Sequence, residues 1–545
     1  MATIPPGFPW RPLVVVLAAV GSLLVLRRFD RSGSLREAAR SRFVLGVPWG
    51  TVLTVLFVLF VYLFVQGGFA HPRNPVVIAF RTWSYYYPLG MLTAAFSHAG
   101  RAHILGNLVG TVAFGTVAEY AWSHYPRERG TQTFTSLRTN PYARILAVPG
   151  AAILVGLFTA LFSLGAVVGF SGVVFAFAGF ALVTRPITTV LALVGGQIVH
   201  LLVDGLLDPS TVYTPKPRVT RPWWAQVAVH DHAMGLMIGV LVAALLVWRR
   251  DEWPRPARLW FAVLSFAAFQ GLWAVYVPLD GGRYRLFRWA GIALVFALVT
   301  LVVAATARSD RTLLPRIDLG RREAATGVLV AALLAFSLVA VPYNVSRFGQ
   351  QAPPGESVQV RDYTVTYAEN VTDRFVGAID VPFVHLTNVR TSGVIVTSAR
   401  RNIWYTQLTA AKVANQGNSR ILLGGVGWRR RVFVNRTGWA VQGNRSVYQV
   451  YLRPEGNNRT LSFTSDPSRA AATIAGRNVS IAPHDPRFQI VVSRNGSVLG
   501  RALAPGRNAS VRVGGLTFKR RQQLLFAVRG TRGGVTRIAI ARREP

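Results

Sequence analysis

The sequence predicts an α-helical protein that crosses a membrane many times and ends in an all-β domain outside the cytoplasm. Of its 545 residues, 51% are apolar, and the mean hydropathy is +0.35. Ten apolar runs, most of them close to the roughly 20 residues that a membrane helix needs, lie before residue 344. Beyond residue 344, short runs of alternating apolar and polar residues replace them, which is the pattern of β-strands.

The ten predicted spans and the segment that follows them group into four regions. The spans are residues 12–26, 44–66, 103–121, 144–164, 168–184, 187–206, 225–248, 258–277, 286–307 and 325–343. No small-residue cleavage site follows the first span, so we expect a retained helix there and not a signal peptide. We expect an N-terminal helix and basic loop at 1–43, a helical core at 44–250, three additional spans at 251–343 and the β-rich domain at 344–545.

The net charge of +38 comes almost wholly from arginine and predicts the orientation in the membrane. Arginines cluster after the first, third, seventh and ninth spans, at residues 27–42, 127–144, 249–258 and 308–322. Short positive loops stay in the cytoplasm, so both the N terminus and everything after residue 344 are expected outside it. Nucleic-acid binding is disfavoured because the arginines are spread over many loops. We therefore expect a multi-pass protein of the cell membrane, in contact with the lipid bilayer.

Sequons for N-glycosylation support this orientation. None precedes residue 344, and eight follow from there, at Asn344, Asn370, Asn435, Asn444, Asn458, Asn478, Asn495 and Asn508. The clustering predicts an externally exposed glycoprotein domain. The alternative is that a β domain rich in Asn, Ser and Thr produces sequons by composition alone.

The C-terminal segment predicts a β-sandwich-like fold with one or two domains. Near its end, Leu524–Val528 and Val535–Ile540 flank the glycine-rich stretch Gly530–Gly534, which is the pattern of a hairpin. Residues 346–545 contain 30 Lys and Arg against 9 Asp and Glu, so we expect the domain to attract an acidic surface partner. We find no catalytic constellation in this segment.

The candidate nucleophile is Ser171, in the fifth span. It stands between Gly169 and Gly172, where bare backbone lets another group approach the hydroxyl. A serine hydroxyl needs a base, and His232 in the seventh span is the candidate. Because the two spans run in the same direction and carry these side chains at similar depth, we expect Ser171 to contact His232. Asp231 is expected to point away from the His232 face.

His103 and Asn107 of the third span are candidate donors to an oxyanion. They are four residues apart and so share one helix face, where they add to the backbone N–H of Ser171. The alternative is that they only form hydrogen bonds between helices. A zinc site built from His98, His103, His230 and His232 is disfavoured because His230 and His232 point to different faces of a helix. The chain has no cysteine, and we expect no cofactor.

These motifs resemble those of the rhomboid family of intramembrane serine proteases. In chain order they are His98, His103 and Asn107, then Gly169, Ser171 and Gly172, then His232, Gly235 and Gly239. The resemblance covers about residues 45–250 and implies a six-helix core with extra transmembrane helices around it. It also implies that Ser171 is the nucleophile, His232 the general base, and His103 and Asn107 part of the oxyanion site. Glu119 is similar to a glutamate at the inner end of the family's second core helix.

The function that the resemblance implies is a serine endopeptidase that cleaves single-span membrane proteins within or near the outer leaflet. We expect a Ser/His dyad without a third acid, water access through a cavity capped by the loop 67–102, and substrate entry beside the span 187–206. The family usually carries Trp-Arg in that loop, whereas Arg81 and Trp83 are separated and reversed here. One alternative is a catalytically silent rhomboid-like protein that binds clients, with the β domain as interaction module. Another is a membrane anchor or transport-related protein whose serine and histidines only join helices.

Overall fold

The structure of the chain is a computed structural model. It describes residues 34–126, 131–207, 228–278, 284–308, 312–314, 319–375, 389–531 and 534–544, with positions 13, 16, 17, 20 and 21. The first predicted span, residues 12–26, lies almost wholly outside the described residues.

The described part of residues 34–344 is mainly helical. Its helices are α1 (Ser34–Arg42), α2 (Trp49–Phe60), α3 (Pro88–Thr93), α4 (Arg101–Trp122, with a π turn at Thr111–Gly115), α5 (Pro141–Leu161), α6 (Ser171–Thr184), α7 (Pro186–Leu207), α8 (Val229–Arg250), α9 (Pro256–Phe269), α10 (Arg288–Thr306) and α11 (Arg321–Asn344). A π turn at Val61–Val65 extends α2. Two short hairpins pair β1 (Tyr276–Pro278) with β2 (Tyr284–Leu286), and β3 (Thr312–Leu314) with β4 (Leu319–Gly320).

Five of the described helices are long and apolar enough to cross a membrane, and four shorter apolar helical stretches accompany them. The chain is therefore a multi-pass membrane protein, as its hydropathy predicts. The prediction for 258–277 was too long, because α9 ends at Phe269. Gly271 then adopts a φ of +71°, and the chain turns into the β1–β2 hairpin.

Helices α6 and α8 form the centre of the bundle and approach each other closely. An ideal Cβ added to Gly235 would lie 1.9 Å from the carbonyl oxygen of Gly172. The same test at Gly239 gives 2.0 Å to the carbonyl oxygen of Ala176. Small residues at such positions let two membrane helices pack backbone against backbone. This contact places the first turns of α6 and α8 side by side.

Near the C-terminal end of α4, the buried carboxylate of Glu119 joins α4 to the start of α2. Glu119 is 1% exposed and accepts hydrogen bonds from the backbone N–H groups of Gly50 and Thr51, at 2.7 Å each. It also accepts the Thr51 hydroxyl at 2.7 Å and lies 2.5 Å from Nε2 of His124. The first N–H groups of a helix lack partners within that helix. Glu119 therefore satisfies the start of α2 and ties it to α4.

Residues 357–544, called the β region below, consist of antiparallel sheets and one short helix, α12 (Ala410–Gln416). The strands are β5 (Ser357–Val360), β6 (Tyr363–Thr372), β7 (Arg390–Ser398), β8 (Ile403–Thr409), β9 (Asn418–Gly425), β10 (Trp428–Val441), β11 (Val447–Pro454), β12 (Thr460–Thr464), β13 (Ser468–Arg469), β14 (Asn478–His484), β15 (Arg487–Arg494), β16 (Ser497–Leu503), β17 (Ser510–Val513), β18 (Leu516–Arg521), β19 (Leu524–Thr531) and β20 (Gly534–Arg543).

The β region has two hydrophobic cores. One lies mainly between the sheet β5–β6–β7–β8 and the strands β9 to β12. The second lies mainly between the sheet β13–β14–β15–β16 and the strands β17 to β20. The predicted hairpin is present, since β19 and β20 pair antiparallel over Leu524–Arg542 to Thr531–Gly534. The all-β class expected for the C-terminal part is thus confirmed.

The β region packs on the end of the helical bundle at which α6 and α8 begin. Trp83, in the loop before α3, is fully buried and packs edge-on against the rings of Phe375 and Tyr405, at centroid distances of 5.6 and 5.5 Å. Its indole N–H donates to the carbonyl of Ile78 at 2.7 Å. Arg401 of the β region donates to the Tyr87 hydroxyl at 2.5 Å. The loop is therefore held between the helices and the β region.

Candidate active site

The backbone before α6 presents Ser171 at the start of a helix. Gly169 adopts a φ of +136°, a conformation that side-chain-bearing residues rarely take, and its N–H donates to the carbonyl of Ala94 at 2.9 Å. Ser171 is the first residue of α6. The first N–H groups of a helix are free of intrahelical partners and point to its N-terminal end. The hydroxyl and these donors therefore share one location.

His232 lies within hydrogen-bond distance of Ser171, as the sequence predicts. Its Nε2 is 2.8 Å from the Ser171 Oγ. The ring of Phe175, one turn after Ser171, stacks on the imidazole with centroids 4.1 Å apart and planes inclined by 16°. Sequence reasoning missed Phe175, although its position four residues after Ser171 places it on the same face of α6.

Within the part of the chain that the structure describes, no carboxylate orients His232. Among the described residues, its buried Nδ1 has no hydrogen-bond partner. Asp231 instead accepts a hydrogen bond from Ser163 at 3.2 Å and lies 3.3 Å from Nδ1 of His230. His230 reaches the carbonyl of Phe336 in α11 through its Nε2, at 2.9 Å. The structure therefore agrees with the expectation that Asp231 turns away from His232.

His103 and Asn107 lie beside the turn that carries Ser171. A Cβ added to Gly169 would lie 2.7 Å from Nε2 of His103 and 3.6 Å from Nδ2 of Asn107. Nδ1 of His103 accepts the N–H of Ala99 at 3.3 Å, which assigns the ring proton of the neutral tautomer to Nε2. Nδ2 of Asn107 is buried without a partner in the described part of the chain. Two N–H donors thus lie beside Gly169, and neither has a protein acceptor among the described residues.

His98 packs behind this group and lies outside the cavity. It is fully buried, and its ring centroid is 5.2 Å from that of His103. Its backbone is fixed by Gln66, whose side chain accepts the His98 N–H at 2.7 Å and donates to the His98 carbonyl at 3.0 Å. Within the described residues, no group of three or more His, Asp or Glu side chains is arranged to hold a metal ion.

A cavity of about 1250 Å³ contains all four predicted site residues in its wall. Helix α7 contributes Ala192, Leu193, Gly196 and Gln197 to the same wall. The β region contributes Phe375, Tyr405, Gln407, Thr409 and Lys412. The loop before α4 supplies Arg81, whose guanidinium donates to the carbonyl of Ala166 at 3.0 Å. The contribution of the β region was not predicted, because strand alternation reveals a face but not what the face contacts.

Comparison with protein families identifies the helical core. A family model described as a rhomboid domain matches residues 83–249, which include α4 to α8 and all four site residues. Residues 83–249 are a rhomboid domain. Rhomboid domains are generally intramembrane serine proteases, although the family also includes inactive members. No curated protein and no solved structure matches the chain.

The rhomboid domain occupies less than half of the chain. Helices α9, α10 and α11 and the β region lie outside the match. The geometry inside it is protease-like: a serine and a histidine in contact, with N–H donors beside them. Trp83 is the first residue of the match and is buried against the β region. The N-terminal end of the rhomboid domain therefore contacts the β region.

Proposed function

We propose that this chain is an intramembrane serine endopeptidase. The observation that carries the proposal is the 2.8 Å separation between Oγ of Ser171 and Nε2 of His232. In this mechanism His232 accepts the hydroxyl proton as the oxygen attacks a peptide carbonyl. The same imidazolium then donates the proton to the leaving amine. The resulting acyl-enzyme is resolved by water, with His232 again acting as the base.

The negative oxygen formed during attack needs donors that are already in position. The Ser171 N–H, Nε2–H of His103 and Nδ2–H of Asn107 serve as these donors in our proposal. Loss of one donor of this kind typically lowers kcat by about 100-fold or more. Because the donors are fixed by the protein before reaction, they stabilise the developing charge without reorganising.

Phe175 substitutes for an orienting acid in this mechanism. A dyad without a carboxylate needs another means to hold the imidazole, and ring stacking at 4.1 Å restricts its rotation. The neutral imidazole that accepts the serine proton at Nε2 carries its own proton at Nδ1. Phe175 is therefore a positioning residue for His232.

The substrates in this proposal are single-span membrane proteins. Helix α7 forms part of the cavity wall, so a transmembrane segment beside this helix reaches Ser171 after its backbone unwinds. We place the protein in the cell membrane, with Ser171 near the outer leaflet and the β region outside the cytoplasm. The arginine-rich loops and the clustered sequons support that orientation.

An activity-based label tests the proposal. The full chain in detergent is treated with a fluorophosphonate, which reacts with activated serines, and cleavage of a single-span substrate is measured in lipid vesicles. We expect labelling and cleavage of the wild type and of Ser337→Ala, because the buried Ser337 hydroxyl bonds its own helix at the Leu333 carbonyl. Ser171→Ala and His232→Ala should show neither. Equal labelling of all four proteins would refute the proposed protease activity and favour the alternative, a catalytically silent protein that binds clients.

A further inference from the structure

The wall of the Ser171 cavity is built partly by the β region, a domain outside the rhomboid match. Strand β8 and the start of α12 supply Tyr405, Gln407, Thr409 and Lys412. Strand β8 has a bulge at Gln407, where its register against β7 shifts, and Tyr405, Gln407 and Thr409 all line the cavity. The chain thus adds a recognition surface to the site from a separate domain.

This surface is held firmly against the rhomboid domain. The indole of Trp83 packs edge-on against both Phe375 and Tyr405, and the guanidinium of Arg81 lies 5.4 Å from the Tyr405 ring centroid. Arg81 also donates to the carbonyl of Ala166, close to the turn that carries Ser171. One side chain therefore contacts both β8 and the segment that leads into the turn of Ser171, so the wall has a defined position relative to the nucleophile.

The charge of the wall is positive. Lys412 is exposed at the start of α12, where the Thr409 hydroxyl caps the helix by accepting the Lys412 N–H at 3.3 Å. Within the described residues the Lys412 ammonium has no carboxylate partner. The carboxylate in the cavity wall, Asp231, is 6% exposed and bonded to Ser163. A ligand at Lys412 therefore meets a free cation.

We propose that the β region selects substrates, and that Lys412, aided by Arg81, recognises an acidic residue of the substrate just beyond its membrane segment. This inference rests on the proposed protease function. A polypeptide held at Ser171 continues past β8 as it leaves the membrane, because β8 lines the same cavity. Opposite charges raise association and discriminate against like charges, which are repelled. Lys412 is thus a specificity-determining residue and not a catalytic one.

The test uses two substrates that differ at one place. Both share one transmembrane segment, and they carry either Asp-Asp or Lys-Lys at the adjoining external position. Cleavage by the wild type, Lys412→Gln and Lys412→Glu is measured in vesicles of neutral lipid, and fluorophosphonate labelling counts the active sites in each preparation. Lys519→Glu on β18 is the matched control, because Lys519 belongs to the β region but does not line the cavity.

The expected readout is the ratio of kcat/KM for the two substrates. Wild type and Lys519→Glu should prefer the acidic substrate, Lys412→Gln should lose most of the preference, and Lys412→Glu should shift it by about tenfold toward the basic substrate. An unchanged ratio in Lys412→Glu overturns the inference while the protease function stands. Absence of labelling in the wild type overturns the protease function itself.

Anionic lipid headgroups are the other chemistry that a lysine at this height attracts. The assay separates the two by repeating it in vesicles that contain anionic lipid. If Lys412 binds substrate, the ratio between the acidic and basic substrates keeps its dependence on Lys412. If the Lys412 variants instead change both substrates equally, and only in anionic vesicles, the residue serves the membrane and our inference is wrong.

Discussion

Replacing Gly235 by alanine should separate the two residues of the proposed dyad. The new Cβ would lie 1.9 Å from the carbonyl oxygen of Gly172, and its next neighbours, at 2.8 and 3.2 Å, are also backbone atoms of Gly172. No flexible side chain can move aside. To reach an ordinary contact of 3.4 Å, the helices must separate locally by about 1.5 Å.

This displacement acts directly on the reacting atoms. His232 lies one turn before Gly235 on α8, and Gly172 follows Ser171 on α6. A shift of about 1.5 Å added to the present 2.8 Å exceeds hydrogen-bond distance. A misplacement of about 1 Å can cost on the order of 100-fold in rate, so we expect at least that loss in fluorophosphonate labelling and in cleavage.

The control is Gly150→Ala in α5, where an added Cβ meets nothing within 4 Å. This variant should keep wild-type activity, and its stability should stay the same or rise by up to about 1 kcal/mol. Thermal unfolding of both variants distinguishes a displaced site from an unfolded protein. Wild-type labelling by folded Gly235→Ala would show that the close α6–α8 contact does not set the Ser171–His232 distance, and would refute the reasoning.

Three further predictions concern stability and modification. Glu119→Ala removes the acceptor of two helix N–H groups and the partner of His124, so thermal unfolding should show a loss of about 3–5 kcal/mol; an unchanged melting temperature contradicts this. Burial opposes ionisation of Asp362, but the hydrogen bonds and charge of Arg401 outweigh it and lower the pKa of the Asp362 carboxyl. The Asp362–Arg401 pair therefore contributes its full stability above the unfolded pKa of about 4, and this contribution is lost as the pH falls through the lowered pKa. In that acid range, the free energy of unfolding of Asp362→Asn should depend less on pH than that of the wild type. Peptide mapping should find glycans at exposed Asn458 and none at Asn344, which is fully buried; a glycan at Asn344 would contradict the structure.

The contact between Ser171 and His232 could be predicted because it depends on short-range features of the sequence, namely helical periodicity and position within a span. Helical spacing places Gly235 and Gly239 on the face of His232, and the spans fix the depth of both side chains. Two independent constraints, the face and the depth, therefore converge on one contact. The geometry of His103 and Asn107 followed from the same four-residue spacing.

The position of the β region could not be predicted, because it depends on contacts between distant segments. From the sequence, Trp83 is an aromatic residue of a loop, and only the folded chain shows that Phe375 and Tyr405 pack against it. Asn344 fits the sequon pattern, yet its amide donates to the carbonyls of Leu161 and Ser163 at 3.2 and 3.1 Å. A local pattern specifies the chemical type of a residue, whereas burial is decided by partners far away in the chain.

Asn344 also helps to fix the position of the β region. Its side chain donates hydrogen bonds to carbonyls at the end of α5, and its carbonyl accepts the N–H of Tyr85 at 3.0 Å, so the last turn of α11 is held by two neighbouring segments. The β region thus stands at a set height above Ser171. If Lys412 binds an acidic residue of the substrate, as we propose, the bond presented to Ser171 lies a constant number of residues from that acidic residue. The fold thus fixes the distance between Lys412 and Ser171. Inserting residues into the substrate between its acidic residue and the cleaved bond should therefore shift cleavage to a different peptide bond.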